Sequence, residues 1–369
     1  MAKQIAGKKF PNFTVDTLNK KGVTIEELVG GKQTFLWFSR YIGCPTCRLD
    51  AQLLSERYNE FVEKGANIVM VMQSSEENVL KATDGKGFPF ELILDPDQKL
   101  YKELEIGSTP EGFSFGDLSP EDSAKLAEKN RGMQKYGFKH GENEGNEQQM
   151  PALFHLMGGM NTAEAHYAAN PMDMPSIDEI LAKIKTGSRV EAGDKFPNMV
   201  LATNKRESVS IEELVGGQRT FFWFLRYIGC TICHWDAWTL KEKYQEFLDK
   251  GVKVYVVMQS RPEMVNAAIE GEDLPEEFIC DFTEDLYTKL AIPVMKPGEG
   301  REMSEEAARR FAVKRAGVQS RGYKHGEYEG NEGQLPAFFD VDGDMTVREA
   351  HYATYITDIP TVEEMLEKI

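Results

Sequence analysis

The segment Arg40-Tyr41-Ile42-Gly43-Cys44-Pro45-Thr46-Cys47 returns 186 positions later as Arg226-Tyr227-Ile228-Gly229-Cys230-Thr231-Ile232-Cys233. A repeat this long restricts the chain to two copies of one architecture. In each copy an aromatic run comes first, Thr34-Phe35-Leu36-Trp37-Phe38 and Thr220-Phe221-Phe222-Trp223-Phe224. Such a run, bounded by turn residues, reads as a buried strand. Behind each cysteine pair, apolar residues three and four apart predict a helix, Leu49 to Phe61 and Trp235 to Phe247. At a helix N-terminus, amide N–H groups and the helix dipole favour a thiolate over a thiol. Each Cys-x-x-Cys is therefore a redox candidate.

The remaining segments repeat as well. Ile25-Glu26-Glu27-Leu28-Val29-Gly30-Gly31 recurs intact as 211–217, a helical turn closed by glycine. Ala66 to Ser74 and Val252 to Ser260 are continuously apolar, as strands covered on both faces are. A helix over 76–86 and a strand over 91–95 keep strand and helix alternating, which predicts an α/β layer fold. The polar stretches 107–149 and 293–334 are too patterned for linkers and predict a helical insertion or lid. Their helices are expected at Pro120 to Tyr136, behind Ser119, and at Ser304 to Tyr323, behind the Met303-Ser304 pair. They also carry His140 and His325. Pro151 and Pro336 each precede an apolar strand, and Asp342-Gly343 signals a two-residue hairpin returning over Met345 to Glu349. Closing helices follow at Ser176 to Lys185 and Thr361 to Lys368. The polar connection at 185–189 divides the chain into domains 1–185 and 186–369.

With 41% hydrophobic and 28% charged residues, the 369-residue chain has enough apolar material for two cores. A net charge of −17 excludes nucleic acid and anionic membrane as partners, since both require clustered positive charge. No apolar run reaches the roughly eighteen residues a membrane span needs. The opening residues lack a signal-peptide pattern, so the cytoplasm is the expected compartment. There, two close cysteine pairs point to catalysis or metal before structural disulfides. Cys280, the fifth, stands in an apolar strand and reads as core.

Strand, Cys-x-x-Cys, helix, strand, helix, strand, then a proline before a hairpin and a last helix resembles the thioredoxin fold. The Phe-Pro opening at 10–11 and 196–197, the Trp-Phe-x-Arg-Tyr-Ile-Gly-Cys segment and the Pro-Ala-x-Phe strand are similar to the peroxiredoxin-like branch, the alkyl hydroperoxide reductase / thiol-specific antioxidant family. The resemblance implies two tandem thioredoxin-like domains, each a mixed central sheet with helices on both faces and a helical insertion before a cis-proline strand. It implies a thiol oxidoreductase acting on a peroxide or disulfide, re-reduced by an external thiol such as a thioredoxin system, with no cofactor. The family's Pro-x-x-x-Thr/Ser-x-x-Cys pattern is missing. Overlaying Thr-x-x-Cys puts Cys47 and Cys233 in the attacking place, whereas overlaying Cys-Pro puts Cys44 there. Thioredoxin-like sites imply an exposed first cysteine, Cys44 or Cys230, attacking, with Cys47 or Cys233 resolving. Arg40 and Arg226 are placed to lower a thiol's ionisation or, as the family implies, to hold peroxide oxygens; a surface ion pair is the plain alternative. By the same resemblance Pro151 and Pro336 are cis and face the thiols. His166 and His351, each between Ala and Tyr, are candidate proton donors or else strand-end hydrogen-bonding groups. Two readings compete with the enzyme: a redox sensor whose thiols regulate binding, and a structural protein with zinc bridging both pairs.

Overall fold

The computed structural model describes residues 3–272, 274, 276–295 and 304–369. Two compact units divide the chain, built on Phe10–Ile184 and Lys185–Ile369. The first runs β1 (Thr14–Thr17), β2 (Val23–Thr24), α1 (Ile25–Val29), β3 (Gln33–Phe38), α2 (Pro45–Glu56), α3 (Tyr58–Glu63), β4 (Ala66–Met72), α4 (Glu76–Ala82), β5 (Glu91–Leu94), α5 (Lys99–Glu103), α6 (Pro120–Tyr136), β6 (Ala152–Leu156), β7 (Thr162–Tyr167) and α7 (Ile177–Ala182). The second runs β8 (Val200–Thr203), β9 (Val209–Ser210), α8 (Ile211–Val215), β10 (Thr220–Phe224), α9 (Thr231–Asp249), β11 (Lys253–Met258), α10 (Pro262–Ala268), β12 (Phe278–Cys280), α11 (Asp285–Lys289), α12 (Glu305–Arg321), β13 (Ala337–Val341), β14 (Val347–Tyr352) and α13 (Val362–Glu367). Each has one seven-stranded sheet, ordered β2-β1-β5-β4-β3-β6-β7 and β9-β8-β12-β11-β10-β13-β14. The strands β3, β4 and β5 are parallel; β1, β6 and β7 pair antiparallel to their neighbours. These are the two tandem thioredoxin-like domains of mixed sheet that the resemblance implied.

The central strand explains the layering. Phe35 and Trp37 enter one apolar cluster, with Cys44, Cys47, Ile68 and Met70. Leu36 and Phe38 enter the other, with Phe10, Val69, Val71 and Phe154. Alternate side chains thus bury both faces of β3, and the thiols belong to one of the two covering layers. Cys280 is core in β12, and burial pushes its thiol up. No described helix is long and apolar enough to cross a membrane.

The inserted helices begin and end where their caps dictate. Ser119 accepts from Asp122 N–H, Pro120 takes the first turn, and Gly137 closes α6 at φ +68°. Ser304 caps α12 likewise, and Met303 lies outside the described residues. Several expectations change. The helix expected from Leu49 to Phe61 breaks at Arg57, which leaves helical geometry (φ −110°, ψ 10°) while paired with Glu60 and Asp178; the second copy stays continuous. The expected two-residue hairpin is a five-residue loop, 342–346, because Val341 pairs with Val347 and Met345 takes φ +69°. His351 consequently lies within β14, opposite Phe338, as His166 lies within β7. Pro151 and Pro336 are not cis, since no cis peptide bond occurs among the described residues. An X–Pro bond keeps a trans preference of about 0.5–1 kcal/mol, and here the carbonyls of Met150 and Leu335 accept from the amides of Gln149 and Gln334.

Candidate active site

The crossing from β3 to α2 is pinned from below. Ser39 N–H donates to Val71 O, Gln73 N–H to Arg40 O, and Ile42 N–H to Ser74 Oγ at 2.8 Å. Buried Tyr101 donates its hydroxyl to the carbonyls of Ser39 and Val71. In the second domain Gln259, Ser260 and Tyr287 repeat these bonds. So held, Cys44 becomes the extended N-cap of α2 with Pro45 in its first turn, and Cys230 the N-cap of α9. Neither cap position is filled by a hydrogen-bonding side chain, so the free amides and the dipole act on the sulfur.

The guanidinium reaches that sulfur. Arg40 Nη2 donates to Cys44 Sγ at 3.0 Å, and Arg226 Nη2 to Cys230 Sγ at 2.9 Å. Thr46 Oγ1 adds a 3.0 Å contact to Cys44. Cys233 Sγ donates to Cys230 Sγ at 3.0 Å, whereas in the first domain the bond runs the other way, from the Cys44 thiol to Cys47. All are free thiols. Each pair holds one negative charge readily and a second poorly. In the second domain the Cys233 thiol, then the Arg226 guanidinium, bring Cys230 down to about 5 against the cost of burial. Burial and the bond to Cys230 push Cys233 well up. In the first domain the charge leans to Cys47, through its bond with Cys44, the Arg40 cation and the Ser39 hydroxyl. The second domain has apolar Leu225 at the place of Ser39.

A loop of the insertion covers each pair. Gly141 N–H donates to Gly43 O at 2.8 Å, and Gly326 N–H to Gly229 O at 2.9 Å. The backbones touch so closely that a Cβ on Gly43 would come within 2.2 Å of Glu142 O. Arg40 Nη1 donates onward to Glu147 O, and Arg226 Nη1 to Glu332 O, so each guanidinium ties sulfur to cover. His140 donates from Nδ1 to Gly141 O, and its Nε2 meets the Tyr41 hydroxyl at 3.2 Å; His325 and Tyr227 repeat this. This overturns the expectation of an exposed first cysteine. Cys44 and Cys230 are each 2% exposed, because the insertion crosses the helix N-terminus instead of standing beside it. The remaining space is small: Arg226, Cys233, Asp236, Pro336 and their neighbours line a cavity of about 10 Å³, the size of one water.

The histidines of the returning strands work elsewhere. His166 Nε2 meets Asp173 O at 2.7 Å and His351 Nε2 meets Asp358 O at 2.8 Å, tying β7 and β14 to the loops that follow. An ion pair one helical turn beyond Cys47 and beyond Cys233, half-buried in the first domain and buried in the second, has no signal in the sequence. Asp50 pairs with Lys129 of α6 at 2.7 Å, and Asp236 with Lys314 of α12 at 2.5 Å. Burial pushes both carboxyls up, and the lysines oppose it. A helix-period charge in an insertion reads as solvated surface; only the fold brings it to the thiols.

A model of the AhpC/TSA family matches residues 6–121 and again 192–350. Thiol-disulfide oxidoreductase ResA of Bacillus thuringiensis (strain Al Hakam) is 29% identical over 108 residues, which cover 29% of this chain and 61% of that protein. ResA of Bacillus anthracis is likewise 29% identical over 108 residues, with the same two coverages. The chain thus spans about 61% of the length of these curated relatives. Among solved structures, a peroxiredoxin-like protein from Aquifex aeolicus aligns at 16% identity and TM-score 0.35, covering 50% of this chain and 88% of that one. A thiol peroxidase from Chromobacterium violaceum aligns at 12% identity and TM-score 0.34, covering 50% and 89%.

Proposed function

The chain belongs to the AhpC/TSA family, and from that premise we propose that it is a thiol-dependent oxidoreductase, reducing peroxides or disulfides through a dithiol–disulfide cycle in each domain. One observation carries this reading: a 3.0 Å separation of Cys230 and Cys233 sulfurs beside the Arg226 guanidinium. Closing a disulfide from there needs only a rotamer-scale approach, with no refolding of α9. With a peroxide, the Cys230 thiolate attacks one oxygen and the O–O bond breaks. The leaving alkoxide takes a proton and departs as alcohol, or as water from hydrogen peroxide. Cys233 then attacks the sulfenic sulfur, the S–S bond forms, and hydroxide leaves as water with the thiol proton. With a disulfide substrate, Cys230 displaces one half as thiolate and Cys233 displaces the other from the mixed disulfide. Two equivalents of an external thiol, such as a thioredoxin system, restore the pair. Sulfur carries both electrons, so the cycle requires no cofactor. A reducing compartment such as the cytoplasm supplies the thiols. In the second domain, the water-sized cavity beside Cys233 favours a small peroxide. Arg40 with Cys44 and Cys47 forms the equivalent site in the first domain, where the negative charge leans to Cys47 instead of the first cysteine; Pro336 borders the cavity beside Cys233, and Pro151 holds the equivalent position ahead of β6.

Stopped-flow oxidation by hydrogen peroxide tests the cycle on wild type, Cys44→Ser, Cys230→Ser and the double variant. The expected result is oxidation well above the rate of free cysteine, reduced in each single variant and abolished in the double. A rate no faster than free cysteine, with insulin or dithiobis-nitrobenzoate still reduced, would leave disulfide exchange as the activity. The burial of Cys44 and Cys230 favours a second reading, a redox sensor that oxidises without turnover. One oxidation per site that external thiols fail to reverse would support it.

A further inference from the structure

The two domains differ at a groove beside the thiol-bearing helix. In the first, a cavity of about 650 Å³ opens between α2, α6 and the segment leading to α7, within the range of small-molecule sites. Its apolar lining comes from Trp37, Leu49, Leu53, Met172, Met174 and Ile177. Arg57, Lys125, Lys129, Arg131 and Lys135 stand around it, among the carboxylates of Asp50, Glu56, Glu128 and Asp178.

The second domain fills the equivalent space with its own side chains. Trp235 replaces Leu49 and packs on Gly317, the counterpart of Gly132, so closely that a Cβ there would lie 2.3 Å from the indole. Trp238 replaces Gln52 and stacks on Trp235 at 5.2 Å, with the Arg321 guanidinium 3.8 Å above its ring. Arg310 replaces Lys125 and straps α12 to α13, donating to Ile359 O at 3.2 Å and to Glu364 at 2.8 Å. In the first domain Lys125 turns back to Glu121 of its own helix, and Gln52 to Glu56 of its own. The groove therefore stays open.

We propose that the first-domain groove binds an aromatic organic molecule, the class of group its duplicate holds in the same place. Soft methionine sulfurs at 172 and 174, where the second domain has Thr357 and Ile359, suit an aromatic face, and the surrounding cations suit its π-electrons. On the thiol reading above, this molecule is the organic part of an aryl peroxide or aryl disulfide. Asp50, in the lining, follows Cys47 by one helical turn, and Trp37 shares a cluster with both thiols.

The probe is anilinonaphthalene sulfonate, titrated into the full chain with fluorescence detection and displaced by cumene hydroperoxide. Wild type is expected to bind one equivalent. Leu49→Trp/Gln52→Trp, which gives the first domain the wall of the second, is expected to weaken binding by about tenfold or more, or about 1.4 kcal/mol. Met174→Trp fills the groove from the opposite wall and guards against misfolding of the first variant. Equal dye binding in all three proteins overturns the site. In turnover, both variants are expected to lose cumene hydroperoxide reduction about tenfold relative to hydrogen peroxide. Lost dye binding with an unchanged ratio overturns the substrate assignment. If wild type turns over neither peroxide, the peroxidase reading fails, while the dye titration still decides whether the groove binds an aromatic molecule.

Discussion

At the scale of single residues, the proposed chemistry depends on a cation meeting a sulfur at a helix start. Arg226 is half-buried beside Cys230, where its charge is less screened than at the open surface. The Cys233 thiol and the Arg226 guanidinium hold Cys230 well below the ordinary thiol range, which favours its thiolate at neutral pH. Arg226→Met removes a charge that favours the anion, and the midpoint must move up. A rise of about one unit or more is expected, read from the ultraviolet thiolate absorbance against pH. An unchanged midpoint would mean that the Cys233 thiol alone holds the charge. The cysteines and this arginine were legible in the sequence because their separation of four residues is local. Their burial was not, since it comes from Glu142 and Glu147 about a hundred positions away. Nor was the Asp50–Lys129 pair, whose partners stand 79 residues apart and read singly as surface charge.

At the scale of elements, the sequence named α6 to the residue, because Ser119, Pro120 and Gly137 are start and stop signals that act locally. It marked the stretch as a helical insertion or lid without showing where its loop lands. The landing is a backbone contact: a Cβ on Gly229 would come within 2.4 Å of Glu327 O and force the loop off α9. Gly229→Ala is therefore expected to speed alkylation of Cys230 by iodoacetamide roughly tenfold, equivalent to about 1.4 kcal/mol less protection. Peptide mass spectrometry after timed quenching measures it. An unaltered rate would show that reagent reaches the sulfur by another route. The break at Arg57 was illegible for a similar reason, since its partner Asp178 belongs to a different helix.

At the scale of the whole chain, duplication was the clearest signal and the family match follows it, once in each half. Each unit carries its own sulfur pair, arginine and covering loop, so each should oxidise within itself. Mild oxidation by diamide followed by non-reducing digestion is expected to give Cys44–Cys47 and Cys230–Cys233 links with Cys280 free. A link between the halves, or any involving Cys280, would contradict that independence. What duplication concealed is divergence: Leu49 and Trp235 look like one repeated apolar position until the space around each is seen. The bond from Gly141 to Gly43 has one more consequence, for biosynthesis. A chain leaving the ribosome folds from its N-terminal part first, and Cys44 stays bare until residue 141 has emerged. The first compartment is then closed while most of the second is still untranslated, so nascent protein meets oxidants with one sulfur pair at a time.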